Sequence, residues 1–192
     1  MPDRNQAVLD FLLTRKSYPA KMLSGPVPDD AALREMLTAA ARSPDHGKLE
    51  PWRFVVFRAA ALRRIGAAMA EVGPTLGVEP AKVEKSAGLY ESAGLAVMVV
   101  SAPVASEKVP QSEQVLSAGA VCLALVNAAS AAGWGANWLS GWASHDRGFA
   151  TSVLGLRADE TVAGIIHIGT PTAPAPDRPR PDLDALTTWV DR

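Results

Sequence analysis

The sequence has almost no cysteine: Cys122 is the only one in 192 residues. A single thiol can form neither an internal disulfide nor a cysteine-rich zinc site. This composition is typical of a reducing compartment, and we expect a cytoplasmic protein. Because Cys122 lies inside a long apolar run, we interpret it as a small buried side chain rather than a nucleophile.

The sequence also lacks an excess of charge of either sign. Nineteen Lys and Arg residues stand against 20 Asp and Glu residues, which gives a formal net charge of -1. A nucleic-acid-binding protein usually carries a basic excess or a basic stripe, so we expect no nucleic-acid partner. Near the N-terminus the only apolar run covers residues 8–13, which is too short for a signal-peptide core.

One long stretch, residues 114–144, contains no Asp, Glu, Lys or Arg. A transmembrane helix needs about 20 consecutive apolar residues. Here serine, asparagine and glycine interrupt the apolar residues repeatedly. We therefore predict a helix buried on all sides, then a Gly-rich turn and a short strand, and no membrane partner.

Several catalytic motifs are missing. The chain has no G-x-x-x-x-G-K-[ST] phosphate loop, no H-E-x-x-H pair and no G-x-S-x-G elbow. Gly133-Trp134-Gly135 begins like a dinucleotide fingerprint, but Trp138 occupies the third glycine position and a predicted helix precedes the motif. His46, His145 and His167 are scattered without an i, i+4 pair, so we expect no metal site.

The length fits a single domain over residues 1–192, with a Pro-rich tail from about residue 171. Hydrophobic spacing predicts helices at 6–14, after the cap Asp29, at 60–71, after Pro80, at 112–132 and at 147–154. It predicts strands at 52–57, 95–100, 134–139 and 162–168, and a short helix or strand within 182–190. This order indicates an α+β or three-layer α/β/α fold around a small central sheet.

Three segments carry more polar residues than a core requires. Arg15-Lys16-Ser17 follows the first helix, where cations can also simply complement the helix dipole. Residues 42–52 form a polar loop between a capped helix and a strand, either a binding loop or an ordinary connector. Residues 133–142 combine glycines and indoles, which suit close ligand approach or a packed aromatic corner.

In this order and spacing, the segments resemble the FMN-dependent nitroreductase family, and most closely its small YdjA-like branch. The resemblance covers roughly residues 9–171. It rests on the following motifs: Arg15-Lys16-Ser17, the loop Ser43-Pro44-Asp45-His46-Gly47-Lys48-Leu49-Glu50-Pro51-Trp52, Lys108-Val109-Pro110, Ser117-Ala118-Gly119 and Ile168-Gly169-Thr170-Pro171. The chain departs from the family pattern at Lys16, Glu50 and Leu139.

The resemblance implies a nitroreductase-like fold, with a small central mixed sheet flanked by helices, and a homodimer whose FMN sites are shared between chains. The charge-free helix supports a dimer independently, because so apolar a helix has more hydrophobic face than one small domain covers. We also expect the Pro-rich tail to lie across a surface as an extended arm, and such an arm suits the surface of a neighbouring chain.

The resemblance also assigns site residues. Arg15 would bind the FMN phosphate, because a guanidinium pairs bidentately with phosphate. Ser17 would bond a ribityl hydroxyl, and Lys16 would lie near the pyrimidine edge. The remaining assignments are flavin contacts from Trp138, Leu139 and Ser140, contacts with the partner chain's FMN from Arg42 and His46, and nicotinamide-nucleotide contacts from Ala128, Ala129, Ser130, Ala131, Ala132 and Gly133. Arg178 or Arg180 is a further phosphate candidate, with solvated surface charge as the alternative.

The implied activity is that of an oxidoreductase with NADH or NADPH as electron donor, in which hydride passes through flavin N5 by a ping-pong scheme. Nitroaromatics, quinones or similar conjugated molecules would be the acceptors. No catalytic side chain is needed, because the chemistry belongs to the cofactor. Two alternatives stay open: a flavin-binding protein without turnover, and another flavin reaction on the same fold, such as dehydrogenation or dehalogenation. The latter usually needs a lid, for which residues 72–92 are the only spare segment.

Overall fold

The computed structural model of the chain describes residues 3–191. Its helices are α1 (Gln6–Thr14), α2 (Asp30–Ala40), α3 (Ala59–Thr75), α4 (Pro80–Ser92), α5 (Gln111–Ala131), α6 (Trp142–His145), α7 (Arg147–Ser152) and α8 (Leu183–Leu186). Its strands are β1 (Leu23–Ser24), β2 (Trp52–Arg58), β3 (Leu95–Ser101), β4 (Gly135–Leu139) and β5 (Thr161–Pro171). The α+β class is confirmed, and the last segment is a short helix.

The five strands form one sheet around β5, which pairs with β3, β4 and β1, while β2 pairs with β3. Every pair among the described strands is antiparallel, so the expectation of a mixed sheet is wrong. The connection from β2 to β3 shows why. Arg58, which ends β2, lies opposite Leu95, which begins β3, and α3 and α4 form a hairpin between them. Because a helical hairpin returns the chain to the end of the sheet at which β2 stopped, β3 must run in the opposite direction to β2.

The sheet separates two hydrophobic clusters, which confirms the three-layer arrangement. On one face, residues of α3, α4 and α7 pack against alternate residues of β3 and β5. On the other face, α2 and α5 cover the remaining residues of the same strands. All seven residues of β3 are buried, as the continuous apolar run predicts.

Close approach of α3 and α4 depends on Gly66. A Cβ atom at this position would lie 2.9 Å from the carbonyl oxygen of Ala87 and 2.7 Å from Cγ of Glu91. Helix α4 in turn buries Val83, Ala87 and Tyr90. The segment 72–92 therefore comprises the end of α3, a short connection and the whole of α4, and it is not a spare lid.

Helix α5 is buried on one side only, which corrects the expectation of a helix buried all round. Val121, Cys122 and Leu125 are inaccessible to solvent, whereas Leu116 is 73% and Leu123 47% exposed. By length and composition alone α5 could cross a membrane, but 44% of its most apolar window is buried inside the protein. The buried part belongs to the core, and the exposed part is a free apolar surface.

The Cys122 thiol is part of this core. It is fully buried, and burial raises the pKa of the thiol to about 12. The side chain is therefore a neutral packing group at physiological pH, as the sequence predicts.

We expect Cys122→Ala to lower the free energy of unfolding by about 1 kcal/mol, as small core truncations do, and to leave unchanged the flavin binding that the family resemblance implies. Urea unfolding and a flavin titration measure the two quantities. Ser112→Ala, at an exposed position of the same helix, is the matched control and should change neither. Loss of flavin binding in the cysteine variant without loss of stability would contradict a packing role.

A buried ion cluster closes the end of the sheet where β5 begins. Glu160 has no exposed surface, and its two carboxylate oxygens accept hydrogen bonds from Arg53 Nε and Nη2, both at 2.7 Å. Arg157 Nη2 approaches the same carboxylate at 2.8 Å, and the Arg157 N–H donates to it at 2.7 Å. The Glu160 carbonyl accepts from Arg147. Through its side chain and its backbone carbonyl, this one residue thus ties β2 to the loop before β5 and to α7.

Candidate functional site

The segment that follows α1 is tied to β4. Helix α1 ends at Thr14, and residues 15–19 leave it without regular structure. The Tyr18 N–H donates to the Ala136 carbonyl at 3.0 Å, and the Asn137 side-chain amide donates to the Tyr18 carbonyl. These bonds hold Arg15, Lys16 and Ser17 beside the strand that leads to Trp138.

Arg15 is the central side chain of this segment. Its Nη2 donates to Ser17 Oγ at 2.9 Å, so two of the predicted site residues contact each other. Its Nε is buried and has no hydrogen-bond partner among residues 3–191. A buried guanidinium N–H that lacks a partner is costly, and an anion placed there would satisfy it. This orphaned donor fits the phosphate of FMN.

Two cavities flank Arg15 and Lys16. The first, of about 420 Å³, also reaches Ser130, Gly133 and Trp134 at the end of α5. The second, of about 200 Å³, is lined by Ser17 and by tail residues, among them Asp177, Arg178 and Arg180. We call this second cavity the tail cleft. It brings four cationic side chains, Arg15, Lys16, Arg178 and Arg180, into one small volume.

Residues 128–133, which the resemblance assigns to the nicotinamide nucleotide, lie at the end of α5, and they differ in their exposure to solvent. Ser130 and Gly133 line the larger cavity, and Ala131 and Ala132 are exposed. Ala128 is half-buried and packs against the core, and Ala129 is fully buried. The side chain of Ala129 therefore has no surface with which to contact a nucleotide.

The loop with Arg42 and His46 is anchored at the other end of α5. Ser117 Oγ donates to the Pro44 carbonyl at 2.7 Å and accepts from Trp52 Nε1 at 3.1 Å. His46 Nδ1 lies 2.7 Å from Glu113 Oε2, and both side chains are substantially exposed. Arg42 is exposed at the end of α2. These contacts explain the serine in the Ser117-Ala118-Gly119 motif, since its hydroxyl holds the loop to the helix.

The same loop stores backbone strain. Lys48 and Glu50 adopt positive φ angles of 56° and 47°, a region that non-glycine residues rarely occupy. Asp45 compensates, because its carboxylate accepts the N–H groups of Leu49 at 3.2 Å and Glu50 at 2.7 Å. Strained, over-determined loops of this kind are typical of binding sites.

Trp138, Leu139 and Ser140 lie at the end of β4. The indole of Trp138 covers Gly164 so closely that a Cβ there would be 2.0 Å from Trp138 Nε1. Trp138 is nevertheless 41% exposed. Leu139 and Ser140 line a separate cavity of about 70 Å³ with Tyr90 and Trp142. The side chain of Trp138 thus presents an indole surface to solvent next to a small pocket.

Within one chain these groups do not form a single pocket. The Arg15 cavity includes Ser130, whereas His46 contacts Glu113, 17 residues earlier on α5. At a rise of about 1.5 Å per residue, these two points of the helix are about 25 Å apart. Arg15 and His46 of one chain are therefore too far apart to bind the same phosphate.

The histidines have different surroundings. His167 is buried against Tyr90, with ring centroids 5.2 Å apart, and burial lowers its pKa to about 4. His46 is exposed on its loop, and His145 is exposed at the end of α6. In the part of the chain that the structure describes, no three His, Cys, Asp or Glu side chains are grouped as metal ligands.

Apolar side chains remain exposed near the site. They are Val8, Leu9, Leu12 and Leu13 on α1, Val115, Leu116 and Leu123 on α5, and Leu183, Leu186, Trp189 and Val190 in the tail. On α5, Leu116 and Leu123 are seven residues apart and share one helix face, and a Cβ on Gly119 between them would meet open space. Such a surface is typical of a protein interface.

The comparisons with known proteins agree on one family. The family model described as "Nitroreductase family" matches residues 14–170. YdjA of Escherichia coli strain K12, named provisionally as an NAD(P)H nitroreductase, is 31% identical over 163 residues, which are 85% of this chain and 87% of YdjA. A Haemophilus influenzae protein with a similar provisional name is 34% identical over 165 residues, covering 84% and 87% of the two chains.

Solved structures show the same fold. A nitroreductase-like family protein from Bacillus cereus superposes with a TM-score of 0.77 at 18% identity, over all of both chains. A provisionally named nitroreductase from Desulfovibrio desulfuricans, solved in complex with FMN, superposes with a TM-score of 0.75 at 21% identity, over 99% of this chain and 100% of the other.

Proposed function

Because the chain belongs to the nitroreductase family, we propose that it is an FMN-dependent oxidoreductase that takes electrons from NADH or NADPH in the cytoplasm. When bound, FMN supplies the hydride chemistry, and conjugated electrophiles such as nitroaromatics or quinones are the acceptors we expect. The observation that carries the proposal is Arg15. Its buried Nε lacks a partner in residues 3–191, and the residue lines a cleft with other cationic side chains.

The chain's own residues would act by position and charge. Arg15, with Arg178 or Arg180 of the tail cleft, would bind the phosphate, and Ser17, already in contact with Arg15, would be within reach of the ribityl chain. Lys16, at 37% side-chain exposure, would supply positive charge toward the pyrimidine edge. Trp138, Leu139 and Ser140 would border the isoalloxazine, and the strained loop would bring in Arg42 and His46.

The sharing of each site between two chains is part of the proposal. It is supported by the separation along α5 and by the exposed apolar surface of α1, α5 and the tail. A second copy of the chain would cover that surface and place its own loop of residues 42–52 opposite Arg15. We therefore propose an obligate homodimer with two FMN sites.

The rival reactions on this fold are less well supported. A lid over the flavin would have to come from residues 72–92, and this segment is packed into the core through Gly66 and Gly73. The other alternative, a flavin binder without turnover, is decided by the spectrum of the purified protein.

We expect the purified protein to be yellow, with flavin absorbance that NADH or NADPH bleaches when air is excluded. The bound flavin can take two electrons from the nicotinamide and cannot pass them on without an acceptor, so the colour should return with a quinone. A yellow protein that neither nucleotide bleaches would be a binder only. A colourless protein that cannot be reconstituted with FMN would refute the proposal.

We expect Arg15→Ala to weaken FMN binding by about 1.5–3 kcal/mol, the range for a hydrogen bond to a charged group. Riboflavin, which lacks the phosphate, should lose much less. Fluorescence titrations with both ligands measure the difference, and Arg63→Ala, an exposed arginine on α3, is the matched control. Equal losses for FMN and riboflavin would assign Arg15 to the helix end alone.

A further inference from the structure

The tail closes back onto the site. Pro171 pairs with Leu23, and the Thr172 N–H donates to the Met22 carbonyl at 2.9 Å. From there the chain passes α1, so that residues 176–180 line the tail cleft with Arg15, Lys16 and Ser17. The tail therefore contacts the proposed phosphate site of its own chain.

Asp177 is the one acidic side chain among the residues that line this cleft. A single oxygen, Oδ1, lies 3.5 Å from Lys16 Nζ, 3.4 Å from Arg180 Nη2 and 3.0 Å from the Arg178 backbone N. The Arg178 N–H and then the Lys16 charge hold the pKa of Asp177 below its usual value, so the carboxylate is ionised at neutral pH. The Asp177 carboxylate oxygen is thus surrounded by three hydrogen-bond donors, and an oxygen of a phosphate group would need similar partners.

The charges of the cleft are not balanced by this contact. Among the described residues, four cationic side chains line the cleft with one carboxylate, and the buried Nε of one of them, Arg15, lacks a partner. A dianion suits this arrangement better than a single carboxylate. Asp177 is 71% exposed, so its side chain can rotate into water with little loss of packing.

We propose that Asp177 is an internal competitor of the FMN phosphate: in the flavin-free chain its carboxylate occupies the tail cleft and pairs with Lys16, and the phosphate must displace it. This inference rests on the proposed function. The tail thereby regulates cofactor affinity, because each binding event exchanges the contacts of Asp177 in the cleft for contacts between the phosphate and the arginines of the cleft. The arginines at 178 and 180 stay available to the incoming anion once the carboxylate leaves.

The test compares Asp177→Asn with the wild type in FMN and riboflavin titrations. Removal of the competing charge should tighten FMN binding about threefold to fivefold, a modest effect because the ion pair is exposed to solvent. Riboflavin affinity should not change, because riboflavin has no phosphate to compete. Asp184→Asn, which removes another exposed carboxylate of the same tail, is the matched control and should leave both affinities at the wild-type values.

The possible outcomes distinguish failure of this inference from failure of the proposed function. Suppose that the wild type binds FMN and that the affinity of Asp177→Asn is equal or lower. Then Asp177 only holds the tail arginines in place, and the inference is wrong. An equal gain for riboflavin would overturn it as well. If neither chain binds FMN, the proposed function fails together with the inference. A wild type that binds weakly and a variant that binds well would support the competition directly.

Discussion

Replacement of Glu160 by glutamine should lower the free energy of unfolding by about 3 kcal/mol at neutral pH, the cost of removing one member of a buried ion pair. The amide can accept fewer hydrogen bonds than the carboxylate, and it carries no charge to offset Arg53 and Arg157. Both arginines would then face each other across a buried neutral group. Urea unfolding of the wild type and the variant measures the difference.

The loss should depend on pH in a defined direction. The hydrogen bonds from Arg53 lower the pKa of Glu160 to about 2 in the folded chain, whereas an unfolded glutamate titrates near 4.3. A depressed folded pKa contributes stability above the unfolded pKa, and this contribution disappears as the pH falls toward the folded value. The stability gap between wild type and Glu160→Gln should therefore shrink from about pH 4 to about pH 2.

Asp159 offers a matched control for this experiment. It precedes Glu160, carries the same charge and lies 4.0 Å from Arg157 Nε, but it is 66% exposed. Asp159→Asn should change stability by about 0.5 kcal/mol or less, because exposed ion pairs contribute little. If the two variants were equally stable, the buried cluster would contribute no more than a surface pair.

Co-refolding of two defective chains should restore FMN binding. Arg15→Ala alone, and Arg42→Ala/His46→Ala alone, should each weaken both sites of their own homodimers. In a mixed dimer, one site combines the intact Arg15 of one chain with the intact Arg42 and His46 of the other. The second site carries all the substitutions. Random mixing should therefore recover about a quarter of the wild-type number of tight sites.

The physical basis is the distance along α5. His46 is held at Glu113 and Arg15 lies near Ser130, so in the proposed dimer the two side chains that meet at one cofactor come from different chains. Bound FMN is counted by absorbance after gel filtration, and native mass spectrometry verifies that mixed dimers form. If mixed dimers form and bind no more FMN than the parents, the sites are not shared in this way. A wild-type monomer that retains FMN would contradict the dimer itself.

Local features of the sequence predict local structure well. The capping residue Asp29 accepts from the Ala32 N–H as expected, and the predicted bounds of α1 match those observed. The continuous apolar run from Leu95 predicts a strand buried on both faces, and β3 is such a strand. Caps and hydrophobic periods are short-range properties, so they can be read without knowing which segments meet. Strand β1 was missed because two residues, Leu23 and Ser24, are too few to show a period.

The distances between the site residues within one chain could not be predicted from the sequence. The motifs around Arg15, His46 and Trp138 are adjacent to structural features that the sequence shows, namely a helix end, a polar loop and a glycine-rich turn. Their distances depend on α5, whose two ends hold different motifs. Nothing in the spacing of the motifs reveals that separation, because sequence distance does not measure distance through a packed core.

By itself, the sequence determined the helices, the buried strands, the single neutral thiol and the cationic segment after α1, because propensity, period and charge act over a few residues. Only the tertiary structure decided the rest. The α3–α4 hairpin made β2 and β3 antiparallel, and long-range packing buried Glu160 against Arg53, which lies 107 residues earlier in the chain. It also left one side of α5 exposed and brought Asp177 back to Lys16, 161 residues earlier. Contacts of this kind depend on how separate elements close around one core, and no local pattern encodes them.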